Sequence, residues 1–571
     1  MEYTKEQQKI ISTAIDILEK NKKTYNITYM IIEAGPGSGK TFTLTEMAKY
    51  LNGVGISLVF NAANAKEAKN KYPHNTYIST THSFALKKIR QYYGDVEIKN
   101  GNYNTRDLMN IMGLNYNDAY NVLSLYNRFC NSSRKLEDYV DFISTNYGSR
   151  HISVMQNFYL KIRNQEIKMD HSFYLKEFQL LLLEGKIEWQ QIPDFLFLDE
   201  AQDTNSVTSS IFENIPALLK VLVGDPYQQI YSFRGAKNFI KDIKNRFDKN
   251  NIEYKELPLK VSFRFPPEIA NRANLIIELF KDNAFVTGIG KGVDKIQSRA
   301  IIARTNAVLL EEGVELLKKG INEFKAIRDV KSIVTMPLAI IKQLLPSYQT
   351  KVDEIVNKFG LNLKQAIYIV NDISEFGKIR NVETIKNILR EKDDKENYTA
   401  FNIVHKIDTS SLLEVIEVFL NNQNLDNNLV SHHMTTCHTA KGLEFDEIKI
   451  CNDFNITSIL FQYYLGKTKK TPSLKTKFDF AKNAEKYYDM FIEDFKNNRL
   501  FNPQLAEELN LYYVAITRGK DFRYVNDKSD IANIYNKNDF IKKAIISVVG
   551  DKGLKQISNK MNLEIERPLI L

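Results

Sequence analysis

Tyr29-Met30-Ile31-Ile32-Glu33-Ala34-Gly35-Pro36-Gly37-Ser38-Gly39-Lys40-Thr41 joins a short apolar run to a glycine-rich loop. Helical spacing resumes at once, with Leu44, Met47, Ala48 and Leu51 on one face. Strand, glycine-rich loop and helix form the setting that a phosphate-binding loop requires. Glycines let backbone N–H groups converge on phosphate oxygens, and the helix N-terminus adds its dipole. In this P-loop Ala34 stands where the first glycine usually lies, and Ala34, Gly35, Pro36, Gly37, Ser38, Gly39, Lys40 and Thr41 make up the expected ATP cradle. Lys40 is placed to reach the β- and γ-phosphates and the Thr41 hydroxyl to ligate Mg2+. The competing reading is a glycine-rich turn without a ligand.

A partner segment follows at Phe195-Leu196-Phe197-Leu198-Asp199-Glu200-Ala201-Gln202-Asp203. Four apolar residues running into two acids describe a central strand that ends at a catalytic edge. Asp199 then holds Mg2+ through water, and Glu200 activates the attacking water as general base. Taken alone, an Asp-Glu pair at a strand end also suits a solvated loop; the P-loop upstream favours the catalytic reading. A third strand, Val221-Leu222-Val223, runs into Gly224-Asp225-Pro226-Tyr227-Gln228-Gln229-Ile230-Tyr231-Ser232-Phe233-Arg234-Gly235-Ala236. Gln228 is expected beside the Asp199 strand, where its amide senses the γ-phosphate. Tyr231 and Phe233 offer faces on which bases stack, at about 1–3 kcal/mol each, although such aromatics are also common in cores.

The pairing of DEAQD with GDPYQQIYSFRGA resembles the UvrD/Rep/PcrA group of superfamily 1 DNA helicases, and further stretches follow in the group's order. Glu6-Gln7 resembles the Q motif, which implies that Gln7 reads the adenine. Phe60-Asn61-Ala62-Ala63 and Thr80-Thr81-His82-Ser83-Phe84 resemble two DNA-contacting motifs, implying DNA contacts at Phe60, Thr81 and His82. Ser262-Phe263-Arg264-Phe265 resembles motif IV, with Phe263 on the adenine and Arg264 reaching the γ-phosphate. His438-Thr439-Ala440-Lys441-Gly442-Leu443-Glu444-Phe445 resembles motif V, with His438 on DNA and Glu444 on the nucleotide. Glu507 to Gly519 (EELNLYYVAITRG) resembles motif VI, with Arg518 as the second arginine finger. The FN start at Phe60, Tyr72-Pro73, Met169-Asp170-His171-Ser172-Phe173-Tyr174-Leu175-Lys176, SFRF and EELNLYYVAITR are similar to the F-box DNA helicase branch. With the Q motif close to Met1, the expectation is of no F-box. Departures from the group's pattern are Ala62 for a lysine, Phe42 for an arginine beside the adenine, Phe233 for a tryptophan, and Gly519 for an alanine.

The resemblance implies an α/β fold of two RecA-like P-loop NTPase lobes, parallel sheets flanked by helices, each interrupted by a mainly helical insert. The expected layout is residues 1–87 and 187–256 for the first lobe around an insert at 88–186. Residues 257–338 and 430–530 make the second lobe around an insert at 339–429, and 531–571 form a C-terminal tail. An interval of about a hundred residues before the Asp199 strand is too long for a loop in a compact domain. The Lys467-Thr468-Lys469-Lys470-Thr471-Pro472-Ser473-Leu474-Lys475-Thr476-Lys477 stretch either touches phosphate or is a solvated charged loop.

Composition agrees without deciding. Across 571 residues, 43% hydrophobic and 26% charged is ordinary for globular proteins. The net charge of +9 suits a polyanion partner but equally a Lys/Asn/Ile-rich composition. Cys130, Cys437 and Cys451 are widely spaced, which excludes a four-cysteine metal site and suits a reducing compartment. No apolar run approaches the roughly 20 residues of a membrane span, and the polar start carries no signal peptide. The expectation is an intracellular protein, cytoplasmic in a prokaryote or virus and nuclear in a eukaryote, with no membrane partner. Its expected partners are single-stranded DNA, single/double-strand junctions and an unidentified protein such as a nuclease or recombination factor. ATP is expected between the lobes, with Lys40, Thr41 and Asp199 on one side and Arg264 and Arg518 on the other. Three functions remain open: a 3′ to 5′ duplex-unwinding helicase, a single-strand translocase that clears bound protein, and a nucleotide-switched binding module without a DNA track.

Overall fold

The computed structural model describes residues 3–144, 149–231, 236–279, 286–327, 329–374, 379, 381–391, 395–454, 456–470, 473–496, 503–529, 537–538, 540–545 and 548. The chain divides into two compact units, Met1–Ser262 and Phe263–Leu571. Among the described residues no helix is long and apolar enough to cross a membrane.

In the first unit, six parallel strands lie in the order Thr76–Thr80, Gly55–Val59, Phe195–Leu198, Leu219–Gly224, Thr28–Ala34 and Tyr254–Leu259. Parallel strands are covered on both faces, so their sequences read as continuous apolar runs. The period of two sorts those runs into two layers. Met30, Ile32, Phe195, Phe197, Val221 and Val223 pack under the helices Lys5–Thr24 and Lys40–Tyr50. Ile31, Leu196, Leu198 and Leu222 face the opposite core. Gly55 lies opposite Phe195, whose ring comes within 1.9 Å of where a Cβ at Gly55 would sit. Only glycine leaves that ring its place.

The helices Thr105–Met112, Tyr116–Asn131, Leu136–Ile143, Ser149–Arg163 and His171–Leu183 belong to that opposite core, continuous with the sheet. The helix Thr81–Tyr93 crosses the expected boundary at 87/88, and Phe84 meets Phe178 edge-on at 5.7 Å. Asp170 joins these helices. It caps His171–Leu183 through Phe173 N–H (2.8 Å), and it accepts from Tyr126 O–H (2.7 Å) and Tyr103 N–H (3.2 Å). Lys176 is fully buried on the Ser132 and Arg134 carbonyls and the Gln179 amide oxygen, and burial pushes its ammonium down to about 7. The 169–176 stretch that resembles the F-box branch therefore serves packing here. Glu177, fully buried, accepts from Tyr93 O–H (2.6 Å), Tyr159 O–H (2.5 Å) and Arg163 Nε (3.0 Å). Glu177→Ala strands three donors and is expected to cost about 3–5 kcal/mol. Urea unfolding reads that loss, and a change below about 1 kcal/mol, the size of a surface pair, refutes it.

The edge strand Tyr254–Leu259 carries the first unit past the expected boundary at 256/257, because Leu257 and Leu259 register against Ile32 and Ala34. The second unit holds five parallel strands in the order Phe324–Ala326, His432–Thr436, Arg299–Ala303, Glu447–Ile450 and Val525–Asp527. Helices between Lys331 and Asn422 separate the first two of these, and they share one core with Ile301 and Phe324. The helix Lys331–Leu344 begins inside the residues assigned above to the second lobe and runs across 338/339. Most of the 531–571 tail lies outside the described residues.

Candidate nucleotide site and nucleic-acid face

At the carboxyl edge of the first sheet, the Thr28–Ala34 strand ends in the loop Gly35–Gly39, and the helix Lys40–Tyr50 begins. Gly37 (φ 71°) and Gly39 (φ 81°) adopt left-handed backbone that a side chain would strain. Gly35 N–H donates to the Leu259 carbonyl (2.9 Å), and Ser38 O–H donates to the Gly35 carbonyl (2.7 Å). Lys40 Nζ lies 3.8 Å from Glu200 Oε1, and Thr41 Oγ1 lies 3.5 Å from Asp199 Oδ2. The P-loop and the two acids therefore meet at one edge.

Burial, then the neighbouring Glu200 charge, push the Asp199 carboxyl up to about 6, while Lys40 opposes the shift. A buried carboxylate beside a threonine hydroxyl is a hard-oxygen donor pair, the chemistry that Mg2+ takes. These residues fit that ion. Glu200 itself has φ 53°, in the left-handed region. Its Oε2 accepts from Gln202 Nε2 at 2.6 Å. Gln202 Oε1 accepts from Asp225 N–H at 3.1 Å, and Asp225 Oδ2 accepts from Gln228 Nε2 at 2.8 Å. Asp203 Oδ1 accepts from Ile230 N–H at 3.4 Å. Gln202, Asp203 and Asp225 received no role from the sequence, although all three lie inside the motifs; only their cross-strand contacts reveal one.

Gln7 is buried at the back of the cradle. Its Oε1 accepts from Thr4 N–H (3.0 Å) in a capping box, and its Nε2 donates to Thr43 Oγ1 (3.4 Å). Glu6 accepts from the N–H groups of Lys260 (2.9 Å) and Val261 (3.3 Å). The Q-motif residues thus support the loop's helix and the edge strand in this structure.

Phe60 is 42% exposed and stacks on Tyr231, which is 7% exposed, with centroids 5.6 Å apart and planes 23° apart. The two aromatics therefore form one layered platform with Phe60 outermost. Phe233 lies outside the described residues. Thr81 is buried at the start of its helix, and His82 is exposed beside the Tyr174 ring (6.1 Å).

In the second unit, Arg264 donates from Nε to Glu444 Oε2 (2.9 Å) and from Nη1 to the Thr517 carbonyl (3.1 Å), and Phe263 is exposed. Arg518 is only 1% exposed. It donates to the Val514 (2.9 Å) and Leu443 (3.1 Å) carbonyls and to Thr517 Oγ1 (3.2 Å). This guanidinium thus pins motif VI to motif V within the unit. His438 sits in the short helix Cys437–Ala440, half-buried. In the basic stretch, Lys467 pairs with Asp494 (2.6 Å) and Lys470 with Asp479 (3.1 Å), so local carboxylates meet part of its charge.

Residues 18–248 match the UvrD/REP helicase N-terminal domain. F-box DNA helicase 1 of Gallus gallus is 26% identical over 496 residues, covering 79% of this chain and 44% of that protein. F-box DNA helicase protein 1 of Schizosaccharomyces pombe is 23% identical over 564 residues, covering 87% and 55%. Gabija protein GajB of Bacillus cereus is 22% identical over 516 residues, covering 82% and 96%. The chain spans about half the length of the two F-box relatives it matches.

Proposed function

We propose, from the premise that residues 18–248 carry a UvrD/REP helicase N-terminal domain, that the chain is an ATP-driven DNA helicase or translocase moving on single-stranded DNA. The observation that carries this reading is a continuous path in the first unit. Lys40, Thr41, Asp199 and Glu200 meet at one edge, and Gln202 and Asp225 link Glu200 to Gln228. Three residues beyond Gln228, Tyr231 underlies the exposed Phe60 ring. Gln228 and the inner ring of the aromatic pair thus share one loop.

ATP is the substrate, with its phosphates against the Gly35–Gly39 loop and Lys40. Mg2+, held by Thr41 and Asp199, neutralises phosphate charge when bound. Glu200 accepts the proton of the attacking water, and Gln228 reads the γ-phosphate. Arg264 and Arg518 are the arginines proposed to meet transition-state charge. Arg518 must exchange its carbonyl partners to do so, which makes its engagement a conformational step. Movement 3′ to 5′, duplex unwinding or removal of bound protein, action at strand junctions, an intracellular setting and a place in repair, recombination or replication all belong to this proposal. So does a nuclease or recombination protein as partner.

ATPase rate with and without single-stranded DNA tests the reading. Strong stimulation is expected; a rate indifferent to DNA sinks the motor and leaves a nucleotide switch. Phe60→Ala removes the outer ring of the platform and is expected to cost about 1–3 kcal/mol of stacking. That weakens Kd for single-stranded DNA about 5- to 150-fold, read by fluorescence anisotropy, while Phe60→Trp retains binding. Unchanged affinity in Phe60→Ala removes Phe60 from the DNA face.

A further inference from the structure

We propose that Gln202 is a positioning residue: its amide holds the Glu200 carboxylate in place and fastens the loop that bears it to the sensor loop at Asp225. The inference rests on the ATPase reading of this site and adds a residue to it. Gln202 is fully buried, with its amide between its own loop, at Glu200 and Asp203, and the strand end at Asp225. The Asp225 backbone N–H can only donate, so the side-chain oxygen must face it (3.1 Å). The NH2 group is thereby directed at Glu200 Oε2 (2.6 Å) and Asp203 Oδ2 (3.4 Å). No flipped amide satisfies both sides.

Two backbone features are built around this contact. Glu200 takes a left-handed conformation (φ 53°) that non-glycine residues seldom adopt, and its carboxylate accepts from the amide two residues later. Gly224 closes the neighbouring strand, and a Cβ there would stand 2.2 Å from Gln202 Oε1. The glycine keeps open the space that the amide fills, in a backbone conformation open to any residue. Asp225 then passes the contact to Gln228 (2.8 Å), so the base and the γ-phosphate sensor share one hydrogen-bonded chain. Displacing Gln202 misplaces the base and its 3.8 Å pair with Lys40, while the Gly35–Gly39 loop keeps its own hydrogen bonds.

The test is basal turnover without DNA, with kcat, KM and thermal midpoint measured for Gln202→Met, Gln202→Ala, Gly224→Ala and the Gln202→Ala/Gly224→Ala double variant. Gln202→Met is expected to lower kcat about 10²-fold, the lower end of what a placed general base contributes, with a lowered thermal midpoint because the buried Asp225 N–H loses its acceptor. Its KM is expected to stay within about threefold, since uniform ATP binding is untouched. Gly224→Ala reproduces the kcat loss by pushing the amide aside, and the double variant loses no more than Gln202→Ala, because the two changes act through one contact. A wild-type kcat in Gln202→Met, additive losses in the double variant, or a KM that rises about tenfold or more together with the fall in kcat overturns the proposal. A wild type that hydrolyses ATP but ignores DNA sinks the motor reading alone, since the Gln202 comparison uses no DNA.

Discussion

Glu200→Gln is expected to lower ATP turnover about 10²–10⁴-fold, the range a placed general base supplies. Nucleotide affinity should survive, for two physical reasons. Glutamine keeps the size and one acceptor oxygen of the glutamate, so the 2.6 Å contact from Gln202 can persist. The substitution also removes a negative charge beside Asp199, whose carboxyl is held up by burial first and by Glu200 second. With Glu200 neutral, Asp199 ionises at lower pH, so Mg2+-dependent nucleotide binding should extend further to the acid side than in the wild type. On the proposed Mg2+ role of Asp199, its protonated form competes with the ion as pH falls, and the variant is expected to move that competition to lower pH, since the Glu200 charge is one of the causes that raise the Asp199 carboxyl. Steady-state kcat and the Kd of a fluorescent nucleotide, each followed from pH 5 to 8, check both halves. Turnover within about tenfold of the wild type, below any general-base contribution, would remove Glu200 from the base role.

Arg264→Ala carries the second large effect, a fall in kcat of about 10³–10⁵-fold on the scale of arginine fingers. The guanidinium is held by a carboxylate on one arm and a carbonyl on another, so it reaches its task already oriented. Arg264→Lys keeps the charge but loses the planar fork that spans Glu444 and Thr517, and is expected to recover only a small part of the rate. Arg518 supplies a contrast. Buried on three acceptors, it should lower stability as well as turnover when truncated, whereas Arg264, its side chain 13% exposed and on two acceptors, should lose less of the thermal midpoint. Equal thermal losses in the two alanine variants would show that both arginines are structural.

Much of this site can be read from short stretches of chain. The strand–loop–helix of the P-loop is contiguous, and its cues are local: an apolar run, glycines at the two left-handed positions, helical spacing from Leu44. Asp199 and Glu200 are marked by the four apolar residues before them, because a buried parallel strand must end where polar groups meet solvent or substrate. Side-chain type and spacing along the chain determine such features, and no distant residue is needed to state them.

Other features depend on which segments come to lie together. Leu257 and Leu259 belong to the first sheet because of their register against Ile32 and Ala34, which no pattern within residues 254–259 encodes. The resemblance of residues 169–176 to a helicase branch said nothing of Asp170 as a helix cap joined to Tyr126 and Tyr103. Tyr231 and Phe60 looked like two separate stacking faces; strand order places one beneath the other. Gln202 stood unremarked inside DEAQD until the Leu219–Gly224 strand brought Asp225 N–H to its oxygen. The sequence by itself determined the glycine-rich loop, the paired acids and the parallel strands, since backbone preference and apolar period act over a few residues. Tertiary structure alone decided the partners of Gln202, Arg518 and Tyr231, since burial and hydrogen bonding are settled between segments far apart in the chain.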